Sequence, residues 1–96
     1  MITEVAILRI KRGTRQSFEN AFNEAQSIIA AMDGYLHHEL QRCIEEENKY
    51  LLLVQWQTLE DHVDGFRKHD AYKQWQALLH PFYDPAPVVE HFEKIY

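Results

Sequence analysis

Six histidines in a chain of 96 residues are the side chains most able to do chemistry here, because a neutral imidazole suits both proton transfer and metal binding at about pH 7. His62 follows Leu59 by three residues and precedes Phe66 by four, the spacing of the inward face of a helix. His38 alternates with Leu36 and Leu40, which places it on the apolar face of a strand, while His80 ends a helical stretch and His91 lies inside a final strand. His37 and His69 read as solvated. Neither His-x-x-Glu-x-x-His nor His-Glu-x-x-His spacing occurs, and the adjacent His37 and His38 point to opposite faces of a strand, so the pattern argues against a metal site. An inward histidine is more often a hydrogen-bonded core residue than a base. His62 and His38 are nevertheless the candidates for proton transfer. Arg42 reads as a surface side chain rather than an anion binder, and Cys43, with no basic cluster beside it, reads as a small apolar filler.

The elements that must position these groups follow from periodicity. Residues 2 to 10 are rich in β-branched side chains and end at Lys11-Arg12-Gly13, a strand and a turn. Thr14 can cap a helix whose apolar side carries Phe18, Ala21, Phe22, Ala25, Ile28, Ile29 and Met32, and Asp33-Gly34 ends it. Residues 35 to 44 alternate as a second strand, joined through Glu45-Glu46-Glu47-Asn48-Lys49 to a third, so that the two form a hairpin. Thr58-Leu59-Glu60-Asp61 has the form of a helix start, followed by Val63 and Phe66 and weakened by Gly65. A further start at Asp70 turns Ala71, Tyr72, Trp75, Leu78 and Leu79 inward until Pro81 stops it. Val88 to Ile95 is expected to form the last strand. The order predicts an α+β domain of ferredoxin-like, split βαββαβ type, a four-stranded antiparallel sheet with its helices on one face, over residues 1–96.

The third strand, Tyr50-Leu51-Leu52-Leu53-Val54-Gln55-Trp56, is apolar on both faces and needs two covers. Helices supply one, and the first strand repeats the pattern, with Val5 and Ile7 opposed to Ala6, Leu8 and Ile10. A second copy of the chain is the expected cover for the other face, giving a homodimer joined sheet to sheet. Burying several hundred Å² per subunit at ~25 cal/mol per Å² contributes on the order of 10 kcal/mol gross, much of it offset by association entropy. The formal charge of −5, with lysines and arginines scattered singly or in pairs, offers no basic stripe for nucleic acid or an anionic membrane. One cysteine, no signal-like apolar core at the N-terminus and no stretch long enough to span a bilayer lead to the expectation of a reduced, cytoplasmic protein.

The Lys11-Arg12-Gly13 turn, the Met32-Asp33-Gly34-Tyr35 step, the Leu51-to-Thr58 passage and the His69-Asp70-Ala71-Tyr72 helix start together resemble the antibiotic biosynthesis monooxygenase family of dimeric α/β-barrel proteins, along nearly the whole chain. The resemblance implies a cofactor-independent monooxygenase, in which a phenolic, quinol or enolisable aromatic substrate is deprotonated and itself reduces dioxygen. It implies an apolar pocket between sheet and helices, for which Phe22, Phe66, Tyr72, Trp75, Phe82 and Tyr83 are the candidate substrate-binding residues, with His62 or His38 taking the proton. Bland core packing is the competing account of these aromatics. The haem-degrading branch of the family carries an Asn, a Trp and a His where alignment puts Ala6, Phe66 and Gln76, so haem is disfavoured and no cofactor is expected; His80, one turn beyond Gln76, is the remaining ligand in reach. A non-catalytic, small-ligand-binding or stress-related dimer is the alternative from another class.

Overall fold

A computed structural model describes all 96 residues. Strands β1 (Ile2–Arg9), β2 (Tyr35–Arg42), β3 (Lys49–Trp56) and β4 (Val89–Phe92) form one antiparallel sheet in the order β2-β3-β1-β4. Helix α1 (Arg15–Ala30) follows β1; a π-helical turn, α2 (Asp61–Phe66), and helix α3 (Ala71–Leu79) lie between β3 and β4. This is the ferredoxin-like α+β arrangement that the element order predicts.

The alternation in β1 and β3 sorts the sheet into two faces. Glu4, Ala6 and Leu8 of β1 and Tyr50, Leu52, Val54 and Trp56 of β3 are buried beneath the helices, where they meet Phe18, Phe22, Ala25 and Ile29 of α1 and Trp75 and Leu79 of α3. On the opposite face Val5, Leu51 and Leu53 are half-buried, Ile7 is 41% exposed and Phe92 53% exposed. This single chain therefore covers one face of the apolar third strand and leaves the other open.

Local chemistry departs from expectation in four places. Thr14 occupies the N-cap position of α1 without capping it, because its hydroxyl donates back to the Lys11 carbonyl oxygen (2.5 Å) within the preceding turn. Asp70 likewise makes no cap, and the Ala71 amide donates instead to Nδ1 of His69 (3.0 Å). The final strand is four residues rather than eight: β4 pairs only with β1, over Thr3 to Ala6, and the chain beyond Phe92 is exposed. A bulge between Tyr35 and His37 in the β2–β3 register leaves Leu36 exposed rather than sharing the inward face with His38 and Leu40. The Thr58 start behaves as read. Thr58 N donates to Asp61 Oδ2 (3.1 Å) and Asp61 N to Thr58 Oγ1 (3.2 Å), a reciprocal capping box.

Candidate functional site

Three strands and one turn converge on Glu4. In the sheet register Glu4 lies opposite Val54 on one side and His91 on the other, and Trp56 is the diagonal neighbour two residues beyond Val54. That offset lets the indole Nε1 of Trp56 donate to Oε1 of Glu4 (3.0 Å). The π-helical turn then lowers His62 onto the cluster. Its closing bond, Arg67 N to His62 O (3.0 Å), spans one more residue than an α-helical bond would, and such π-helical turns are concentrated at functional sites. The His62 ring stacks on Trp56 with centroids 5.4 Å apart and planes inclined by 16°. Its Nε2 lies 3.3 Å from Glu4 Oε1, and its Nδ1 lies 2.8 Å from Nε2 of His91.

Glu4 and His62 are the two polar residues of the buried core, 5% and 3% exposed. Burial raises the Glu4 carboxyl above its ordinary range, against the Trp56 hydrogen bond and the Arg67 charge, which both favour the carboxylate. Burial also pushes His62 down to about 3, helped by the charges of Arg67 and His91. His62 is therefore a neutral imidazole at neutral pH, and its 3.3 Å approach to Glu4 is a close polar contact between a neutral ring and the carboxyl group rather than an ion pair. Oε1 of Glu4 accepts from Trp56 and has His62 Nε2 at 3.3 Å, while Oε2 has no protein partner; because no fully buried side-chain nitrogen or oxygen lacks a partner, Oε2 is not sealed in the core.

Glu4 lines a cavity of about 40 Å³ between sheet and helices. Glu4 and His62 form its polar side, Leu8, Leu52, Phe66 and Trp75 its apolar walls, and Arg67, Tyr72, His80 and Tyr83 stand around it. The hydroxyls of Tyr72 and Tyr83 make no protein hydrogen bond, and burial raises both phenols, so they remain neutral donors. A void of this size holds a few waters; a benzene ring takes on the order of 150 Å³. No group of three or more His, Cys, Asp and Glu side chains is placed to hold a metal ion.

Of the residues singled out from sequence, His62, Phe66, Tyr72, Trp75 and Tyr83 meet at this cavity. His38 does not. It lies on β2, where Nδ1 bonds the Tyr35 hydroxyl, Nε2 bonds Gln26 Oε1 of α1 (2.9 Å), and the ring rests against Phe22. Phe22 lines a separate surface groove with Glu19, Leu40, Arg42 and Tyr50, and Phe82 packs edge-on against Phe18 (5.8 Å between centroids). His80 is exposed, 5.3 Å from the Tyr83 ring. Glu4 and His91 were not singled out as site residues, although the signal for Glu4 was present: it alternates with Ala6, Leu8 and Ile10 and so had to point inward.

The whole-chain comparisons agree with this architecture. An uncharacterized Bacillus subtilis (strain 168) protein, YczJ, is 55% identical over 95 residues, covering 99% of this chain and all of its own. A Bordetella bronchiseptica crystal structure described under the antibiotic biosynthesis monooxygenase name superposes with a TM-score of 0.94 at 27% identity, over 99% of this chain and 97% of that one. SnoaB, a cofactor-independent oxygenase from Streptomyces nogalater, shares the fold with a TM-score of 0.86 at 17% identity, over 99% and 93% of the two chains. The family model for antibiotic biosynthesis monooxygenase matches residues 1–78, from Glu4 on β1 through Trp75 on α3, and the chain belongs to that family.

Proposed function

We propose that the protein is a cofactor-independent monooxygenase that deprotonates a small phenolic, quinol or enolisable aromatic substrate and lets the resulting anion reduce dioxygen. The observation that carries this reading is a buried glutamate with an unpartnered Oε2 lining a largely apolar cavity. A carboxylate whose pKa is raised by burial is a better base than one in water, which is what abstraction from a phenol or enol requires. Nδ1 of His62 is bonded to His91 and its Nε2 is taken up by the contact with Glu4, so Glu4 is the proton acceptor in this reading and His62 lies against it. Tyr72 and Tyr83 donate to the substrate oxygens, and Phe66 and Trp75 flank the ring. His38, tied to Tyr35 and Gln26, supports the sheet.

The same reading includes a sheet-to-sheet homodimer, supported by the open face bearing Val5, Ile7, Leu51, Leu53 and Phe92. It also includes a cytoplasmic setting, for which the lone thiol of Cys43 is the support; no helix is long and apolar enough to cross a membrane. Oxygen uptake with a panel of hydroquinones and naphthols, under air and under argon, tests the reaction. Oxygen-dependent turnover that is lost in Glu4→Gln supports it, and turnover unchanged in that variant removes the assigned base. A second reading, a dimer that binds a small ligand without turning it over, is favoured by the small cavity, since an aromatic ring enters only if side chains such as Tyr72 and Tyr83 swing outward. Saturable binding without oxygen uptake selects it.

A further inference from the structure

His62 has no nitrogen to spare, and what it touches on each side defines a path. Nε2 faces buried Glu4 at 3.3 Å, and Nδ1 faces Nε2 of His91 at 2.8 Å. His91 sits on β4 directly opposite Glu4, is half-buried, and makes no protein hydrogen bond through Nδ1; since no buried side-chain nitrogen lacks a partner, that atom reaches water. A line of polar groups 2.8 and 3.3 Å apart thus runs from a carboxyl group at the cavity to the accessible Nδ1 of His91 on the edge strand of the sheet.

We propose that Glu4, His62 and His91 form a proton relay by which the buried carboxyl group exchanges with solvent, with His91 as its outer member. Outward, the O–H bond at Glu4 Oε1 breaks as its proton bonds Nε2 of His62, a proton taken up at Oε2 reaching that position when the carboxyl group turns about its Cγ–Cδ bond. The Nδ1–H of His62 breaks as its proton bonds Nε2 of His91, and the Nδ1–H of His91 passes to water. The products are the carboxylate and two neutral imidazoles whose proton has moved from Nδ1 to Nε2. No electrons are transferred and neither ring turns. Each charge state of Glu4 therefore belongs to one tautomer of both histidines. In the carboxylate state the protonated Nε2 of His62 lies 3.3 Å from Glu4 Oε1, which accepts from the Trp56 N–H.

The charged and titratable groups facing the relay are few. Arg67, after the π-helical turn, disfavours a charged imidazole on both rings and favours the carboxylate, while Tyr72 of α3 and Tyr83 beyond it keep their protons. A neutral wire fits that surrounding better than a standing imidazolium.

As a device for resetting the base, the relay rests on the reading of Glu4 given above; the exchange itself requires no substrate, so it is measured without one. In protein labelled with 15N-histidine and 13C-glutamate, two-bond 15N–1H spectra from about pH 4 to about pH 8 report tautomers, and the Glu4 carboxyl carbon reports its charge. The expected result is that His62 and His91 pass together from Nδ1–H to Nε2–H as Glu4 ionises. His91→Gln keeps a hydrogen-bonding side chain that does not relay, and it should slow Glu4 proton exchange at least about tenfold, with recovery on adding free imidazole. A His91 that holds one tautomer while Glu4 titrates, or exchange unchanged in His91→Gln, overturns the relay. Failure of the oxygenase reading appears separately, as absent oxygen uptake with an intact tautomer switch.

Discussion

Replacing Gly34 with alanine should unbalance the turn that carries His62, although Gly34 lies 28 residues away in sequence and touches no cavity atom. Gly34 sits between α1 and β2 at φ +80°, a left-handed conformation that costs an L-residue roughly 1–2 kcal/mol. A Cβ built there would lie 2.1 Å from Oδ2, 2.2 Å from Cγ and 2.7 Å from Cβ of Asp61. Because the conflict reaches the Asp61 Cβ, rotating the carboxylate away does not relieve it, and the turn itself must move. Moving it breaks the reciprocal Thr58–Asp61 bonds, a cap worth ~1 kcal/mol. Together these predict a loss of about 2–3 kcal/mol, and for a domain of this size a fall in Tm of roughly 10–20 °C. Urea unfolding followed by the fluorescence of Trp56 and Trp75, at one fixed protein concentration, measures it. In an Asp61→Gly background the obstruction is gone, and the Gly34→Ala penalty should shrink by about 1 kcal/mol, to the backbone part of roughly 1–2 kcal/mol. A Gly34→Ala protein within about 0.5 kcal/mol of the parent, or an equal penalty in both backgrounds, refutes the link between this glycine and the His62 turn.

Glu4→Gln should lower oxygen-dependent turnover by at least about 100-fold while leaving a folded protein, because the amide oxygen can still accept from Trp56; comparable rates in parent and variant defeat the assignment of the base. Ile7→Asp or Leu53→Asp should give a poorly folded, monomeric or aggregating protein, since a carboxylate buried between two sheets without a partner costs several kcal/mol. For the parent chain at micromolar concentration, light scattering should find twice the 11.5 kDa of one copy, and a stable monomer there removes the covered-face argument. Acid should destabilise the fold: burial lowers His38, His62, His80 and His91 below 6.5, so the unfolded chain binds more protons as pH falls from about 6.5 towards about 3, while Glu4, shifted upward, opposes this with one group. Tm at about pH 5 should lie below Tm at about pH 7, and an equal or higher value contradicts it.

What was legible in the sequence was what obeys a period. The strict two-residue alternation of β1 and β3 set both the register and the apolar second face, and the helical spacing of Phe18, Phe22, Ala25 and Ile29 set the buried side of α1. The same logic overextended β4, because Val88 to Ile95 alternates well on paper but only four of these residues find a partner strand. Capping was read correctly where two side chains answer each other, at Thr58 and Asp61, and incorrectly where a lone Thr14 or Asp70 had nearer alternatives. The π-helical turn was not legible: Leu59, His62 and Phe66 fit ordinary helical spacing, and the extra residue shows in the backbone bonding, as in the Arg67–His62 bond that closes the turn. Grouping of the site residues divided along the same line. Phe66, Tyr72, Trp75, Tyr83 and His62 share the cavity because they come from adjoining turns facing one way, whereas His38 and Phe22 belong to the β2–α1 contact on the other side of the sheet's helical face. The pairing of Glu4 with His91 depends on β1 lying beside β4, a neighbour relation that requires the sheet order and not the local pattern.

Trp56 is where the fold and the proposed chemistry meet. Its place at the end of β3, fully buried and diagonal to Glu4, makes its N–H the one fixed donor to the carboxyl group, while its face supplies the surface on which His62 lies nearly flat. A flat ring has its two nitrogens in one plane, so fixing that plane fixes both of their directions at once, Nε2 towards β1 and Nδ1 towards β4. An imidazole free to tilt would satisfy one neighbour at the expense of the other. The aromatic stack therefore does for His62 what the β1–β4 register does for Glu4 and His91: it removes the rotational freedom that hydrogen bonds alone would have to overcome, and it does so with a side chain the hydrophobic core already required.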